Sequence, residues 1–186
     1  MRVDILLEAE GTAPSSVFPP DENYFDLRAN PRAIEQISVA RQYLPLRNFL
    51  SSVNGAESIF TTASATTKSD LPATVSAGLG HEFASQAIIV FAESALNWER
   101  KHYVELSAKL KELLERDAAD SVRAALRISS CDFKAENQRG YCLGIRLVAA
   151  GESAQQAELR WGLGLARVQQ ALLFQSRALS NKSLSD

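Results

Sequence analysis

The sequence predicts an α+β fold, a two-layer sandwich in which a small antiparallel sheet is covered by two long amphipathic helices. Residues 121–150 alternate apolar and polar side chains around a turn-prone segment, which is the pattern of a β-hairpin. Residues 82–116 and 153–179 repeat apolar side chains at steps of three and four, as amphipathic helices do. Each element has one apolar face to bury, and stacking helices on a sheet achieves this most simply. The competing prediction is an all-α bundle in which residues 120–128 extend the first long helix.

Residues 3–9 predict the third strand of this sheet, because Val3, Ile5 and Leu7 alternate with mostly polar neighbours. A length of 186 residues predicts a single domain, 1–186.

Two parts of this domain, residues 11–29 and 56–80, predict irregular, loop-rich segments. Within the second of them, residues 58–65 favour an edge strand and residues 66–70 a mobile loop. Asp70 with Pro72 is expected to start a short helix.

Asn30 and Pro31 predict the start of a helix, since Asn is a favoured N-cap and Pro suits the first helical position. Pro45 is expected to end or kink this helix near Tyr43. A shorter helical piece, residues 46–53, is expected to follow, with Gly55 just past its end.

No glycine or proline occurs between His81 and Arg139, and the first part of this stretch, residues 82–116, predicts one continuous helix. At 1.5 Å per residue that helix would be roughly 50 Å long. A compact domain of this chain length is about 35 Å across. The helix must therefore bend, break or extend to a partner.

The last helix, residues 153–179, carries an apolar stripe that includes Trp161, Leu165 and Val168. Gly162 and Gly164 interrupt it, and each weakens a helix by about 1 kcal/mol relative to Ala. We expect these glycines to permit close packing against the first long helix.

The overall charge and composition exclude several classes of protein. A net charge of −2 and a pI near 5.8 predict no general attraction to nucleic acid or anionic lipid. The N-terminus lacks the apolar region of a signal peptide, and no run of 18 apolar residues predicts a membrane span. We therefore expect a cytoplasmic protein that binds neither nucleic acid nor membranes.

No phosphate-binding loop, dinucleotide fingerprint, zinc motif or nucleophile elbow occurs in the sequence. Glu99 and His102 have the i, i+3 spacing of half a di-iron site, but the second half is missing. We therefore expect no metal and no cofactor. If the protein has a pocket between sheet and helices, the candidate polar residues around it are His102, Glu99, Tyr103 and Arg146.

Three arginines, Arg123, Arg127 and Arg146, are expected on one outer face of the hairpin. Such a face could receive a phosphate or an acidic partner, although a solvated face of mixed charge is the simpler interpretation. Cys131 and Cys142 flank the turn, where two small, semi-buried residues are a simpler interpretation than a redox pair.

Without a catalytic motif, the sequence favours a non-catalytic assembly or adaptor protein that self-associates through its long helix. The candidate interface residues are Trp98, Trp161, Leu110 and Leu113. The alternative is a small enzyme or ligand-binding domain with its pocket near His102.

Overall fold

The computed structural model describes residues 1–9, 11, 13–20, 24–72, 80–116 and 121–183, which form a mixed α/β fold with one six-stranded sheet. The all-α alternative is wrong, because residues 122–133 form a strand. No helix in these ranges is long and apolar enough to cross a bilayer. The strands are β1 (Arg2–Leu7), β2 (Ser16–Phe18), β3 (Phe60–Pro72), β4 (His81–Phe91), β5 (Val122–Phe133) and β6 (Gln138–Gly151). The α-helices are α1 (Ser38–Gln42), α2 (Leu44–Val53), α3 (Arg100–Glu115) and α4 (Ala154–Ser183), and 3-10 helices span Pro31–Gln36 and Ser94–Asn97.

The strands follow the order β1-β5-β6-β4-β3, and β2 pairs with β5 beyond the end of β1. Both β1 and β2 run parallel to β5, whereas the other pairs are antiparallel. The prediction of a small antiparallel sheet is therefore wrong in its size and in the direction of the N-terminal strand. A parallel pair requires a long crossover, and the chain between β1 and β5 provides one that includes β3, β4 and α3.

The predicted hairpin is present as β5 and β6, and Phe133 pairs with Gln138 across a four-residue loop. Asn137 in this loop has a φ of 49°, a left-handed conformation that Asn adopts more readily than most residues. Gly140, the last residue of the turn-prone segment 136–140, lies within β6 and is buried. The turn therefore lies earlier in the chain than the sequence indicated.

The predicted helix 82–116 is wrong in its first part, because His81–Phe91 forms strand β4. β4 lies inside the sheet, between β6 and β3. Buried residues occupy both of its faces, so the sequence lacks a clear period of two. The true helix, α3, has 16 residues and is about 24 Å long. The argument that an over-long helix requires a partner therefore fails.

Two smaller expectations also differ from the structure. Residues 31–42, expected as one helix, form a 3-10 helix and then α1, which ends before Tyr43 as predicted, and Pro45 lies in the first turn of α2. Proline fits there because the first amides of a helix have no intrahelical acceptor. Residues 66–70, expected as a loop, belong to β3, and the proposed helix after Pro72 falls outside the described residues.

The inner face of the sheet packs against α2, α3 and α4 in one apolar core. Trp161 of α4 lies at its centre, stacks 4.4 Å from Phe83 and donates a 2.7 Å hydrogen bond to Ser85 Oγ. A Cβ at Gly164 would lie 2.8 Å from Val122, and one at Gly162 would lie 3.0 Å from Pro45. Gly164 therefore permits close packing of α4 against the sheet, and Gly162 permits close packing against α2. The expected close packing against the first long helix is not what these glycines provide.

A second apolar cluster lies on the outer face near the hairpin loop, with Val90 and Phe133 at its centre. Phe18 of β2 and Trp98 pack against it, and Tyr24 contacts Phe18 with ring centroids 5.7 Å apart. This cluster buries only one end of the outer face. The rest of that face carries no helix among the described residues.

Candidate functional site

The open part of the outer face is a regular array of side chains fixed by strand register. In one row, Asp4, Ala125, Arg146 and Gln86 lie side by side on β1, β5, β6 and β4. In the neighbouring rows, Arg123 lies opposite Val148, and Arg127 lies opposite Gly144. Every residue of this array is exposed or half-buried. The prediction that the three arginines share one outer face agrees with this register.

The arginine triplet (Arg123, Arg127 and Arg146) makes no ion pair or hydrogen bond within the described part of the chain. Arg146 is a diagonal neighbour of each of the other two, at about 8 Å between Cα atoms. Asp4, the carboxylate of the central row, forms a 3.8 Å ion pair with Arg2. Glu8 accepts hydrogen bonds from Ser15 and Ser130, so neither of these two carboxylates forms an ion pair with the triplet.

His102 lies at a different place, beside a cavity of about 640 Å³ at the end of the sheet. Helix α3 contributes His102, Glu105 and Lys109 to its wall, since residues at steps of three and four share one helix face. The apolar part of the wall includes Phe91 and Leu106. The cavity therefore combines an apolar wall with ionisable groups at its rim.

Gln175 of α4 also lines this cavity, and sequence reasoning missed it. The residue is 5% exposed, and its amide has no hydrogen-bond partner among the described residues. Its amide atoms are open to the cavity, because the one buried side-chain atom without a partner among the described residues is Ser107 Oγ. A polar residue near the apolar stripe of the last helix was the only signal in the sequence.

The structure does not bring the four candidate pocket residues together. Tyr103 is fully buried and donates a 2.5 Å hydrogen bond to Asn97 Oδ1, and burial raises its pKa well above the usual value. Glu99 is exposed, and the hydrogen bond from Lys101 lowers its pKa. Arg146 lies on the outer face of the sheet. Only His102 lines the cavity.

Cys131 and Cys142 are free thiols and are fully buried, where we expected partial burial. Cys131 pairs with Gly140, and Cys142 pairs with Ser129, so the two thiols are diagonal neighbours on the outer face. The hydrogen bond to Cys142 together with burial raises the pKa of Cys131. A thiol that stays protonated and inaccessible is a poor nucleophile.

A groove of about 1110 Å³ runs between α2 and α4. Leu44, Leu159 and Leu163 line it and are 65%, 64% and 62% exposed. Gly162 and Pro45 form part of its floor. Glu158 is its only charged lining residue in the described chain, and the other polar lining residues are serine, asparagine and glutamine. We call this surface the α2–α4 face.

The four interface candidates lie elsewhere. Trp161 and Leu110 are fully buried in the core, so neither has surface to offer a partner. Trp98 is half-buried against Phe133, with ring centroids 5.0 Å apart. Leu113 is half-buried beside the core and lines a small pocket next to α4.

No protein family model matches the chain, and no curated protein or solved structure is similar to it.

Proposed function

We propose that this chain is a non-catalytic assembly protein that self-associates through the α2–α4 face. The observation that supports the proposal is the exposure of Leu44, Leu159 and Leu163 around one groove. Single exposed leucines are normal on a protein surface, but adjacent ones that line a large concavity mark binding surfaces.

A second copy of the chain is the occupant that this face fits best. Leu159 and Leu163 project from α4, while Gly162 and Ala166 leave depressions beside them. In an isologous dimer the same surface of both copies forms the interface. The protruding leucines of one copy would then pack against the small residues of the other. The face has a single charged residue, Glu158, so two copies would bring few like charges together.

Disulfide trapping tests the proposal directly. Both native cysteines are buried, so Leu163→Cys would add the only accessible thiol of the described chain. We expect this variant to form a covalent dimer rapidly under mild oxidation. Val104→Cys is the matched control, since Val104 is 41% exposed on α3, away from the groove. Equal or faster crosslinking of the control would contradict the proposed interface.

The cavity beside His102 supports a second candidate function, the binding of a small molecule with an apolar body and a polar head. Gln175 supports this alternative, because its amide lines the cavity and makes no hydrogen bond to another described residue. A ligand that hydrogen-bonds this amide would satisfy it inside a mostly apolar wall, as small-molecule sites commonly do.

A titration with small aromatic amides, followed by NMR of the side-chain amides, tests this second function. We expect the Gln175 amide signals and the methyl signals of Leu106, which lines the same cavity, to move, and the Leu106 response to disappear in Gln175→Leu. Gln170→Leu is the control, because Gln170 is an exposed glutamine of the same helix. A response that survives Gln175→Leu would rule out this site.

A further inference from the structure

We propose that the open outer face of the sheet binds an extended acidic segment of a partner protein through the arginine triplet. This site is separate from the α2–α4 face, and it does not depend on self-association.

Charge complementarity is the first argument. The whole chain has a net charge of −2, yet the centre of this face carries three cations that lack any partner in the described residues. Each of the three side chains is exposed. Guanidinium groups bind carboxylates through two parallel hydrogen bonds, which favours an acidic ligand over a neutral one.

The spacing of the triplet is the second argument. Arg146 is about 8 Å from Arg123 and from Arg127, on opposite sides along the strand direction. In an extended peptide, every second side chain points the same way at a spacing of about 7 Å. A segment with an acidic residue at every second position would therefore place successive carboxylates near successive guanidinium groups.

The surface between the arginines is flat, which is the third argument. Ala125 and Gly144 separate the three side chains in the two central strands. Neither residue projects far from the sheet, so a partner's backbone can approach closely.

Two other occupants fit this face less well. A second copy would place the triplet against itself if the faces met symmetrically, and like charges would repel. Single-stranded nucleic acid is usually held by aromatic rings on which bases stack. The residues of this array in β1, β4, β5 and β6 include no exposed ring.

Fluorescence anisotropy of labelled eight-residue peptides tests the proposal on the full chain. The probe is a peptide of four Glu-Ser repeats, and a Gln-Ser repeat of the same length is its neutral control. We expect the acidic peptide alone to bind, with an affinity that falls as salt is raised from 0.05 to about 0.5 M, because exposed charges are screened.

The arginine variants locate the site. We expect Arg146→Gln to weaken binding by about fivefold, the upper range for one exposed ion pair, and Arg123→Gln with Arg127→Gln and Arg146→Gln together to abolish it. Arg41→Gln is the control, since Arg41 is an exposed arginine of α1. Substitution of exposed side chains should leave the fold intact, which circular dichroism verifies.

Three results would overturn the proposal. The first is an acidic peptide that does not bind at millimolar concentration, and the second is binding unaffected by the triple substitution. The third is an eight-nucleotide single-stranded DNA that binds more tightly than the peptide and needs Arg146, which would assign the face to nucleic acid.

Discussion

Replacing Leu163 by Glu gives the most quantitative test of self-association. Leu163 is 62% exposed on the α2–α4 face, and complete burial of a leucine is worth about 1.5–3 kcal/mol. Covering its exposed part is therefore worth about 1–2 kcal/mol in each copy. An isologous dimer contains the contact twice, so the loss is about 2–4 kcal/mol. That corresponds to a roughly 30- to 700-fold increase in the dissociation constant.

The same substitution should hardly affect the folded monomer. An exposed helical position tolerates most side chains within about 0.5 kcal/mol, and Glu forms helices nearly as well as Leu. Glu buried at the interface would add an unpaired charge, so the estimated increase in the dissociation constant is a lower bound.

Sedimentation equilibrium over a range of protein concentrations measures this dissociation constant. Val104→Glu is the matched control, because it places the same charge on an exposed apolar position of α3. The reasoning would be refuted if Leu163→Glu associated like the wild type. It would also be refuted if Val104→Glu dissociated equally, or if the wild type stayed monomeric at every concentration.

Three further predictions concern stability, measured by denaturant unfolding. Gly140→Ala should destabilise the fold by about 1–3 kcal/mol, because its Cβ would lie 2.5 Å from the carbonyl oxygen of Asn97; Gly144→Ala, whose Cβ would lie 3.7 Å from its nearest neighbour, should cost nothing. Tyr103→Phe should cost about 0.5–1.5 kcal/mol or more, since it removes the buried hydrogen bond to Asn97 Oδ1. The hydrogen bond from the backbone amide of β1 and that from Lys111 lower the pKa of Glu115. The contribution of ionised Glu115 to the free energy of unfolding should therefore be complete above the usual pKa of 4.5. It should be lost as pH falls through the lower pKa of the folded protein. Glu115→Gln should flatten this acid dependence, and an unchanged slope of stability against pH would contradict the assignment.

The period of the apolar pattern identified those elements that have one buried face. Residues 122–128 of β5 alternate strictly between buried and less buried positions, and the sequence shows the same alternation. Helix α4 buries a single stripe that includes Trp161 and Leu165, and a repeat of three and four follows from that geometry. In both elements the local pattern and the final environment agree.

The same reasoning failed at β4 for an identifiable physical reason. Phe83, Ala87 and Phe91 face the helices, but Val90 on the opposite side is buried in the second apolar cluster. A strand buried on both faces gives a nearly continuous apolar run, which periodicity cannot distinguish from a helix. The absence of glycine and proline between His81 and Arg139 excluded breaks, but it did not select the type of element.

A candidate surface could be predicted from the sequence only where strand pairing by itself places its residues together. Pairing of β5 with β6 and the alternation of side chains placed Arg123, Arg127 and Arg146 together, and the structure has them so. The α2–α4 face and the cavity beside Gln175 join residues more than 100 positions apart in the chain. No local pattern in a single sequence carries that information.

The sequence by itself determined the hairpin, the N-terminal strand and the last helix. Each of these elements buries one face, and burial of one face requires apolar residues at the period of the strand or helix. Only the tertiary structure decided that β1 runs parallel to β5 and that β4 lies inside the sheet. It also decided that α2, α3 and α4 pack on the inner face, whereas the arginine triplet lies on the outer face. These choices depend on which apolar faces meet across the whole chain. Contacts between distant segments, rather than any local preference, set that outcome.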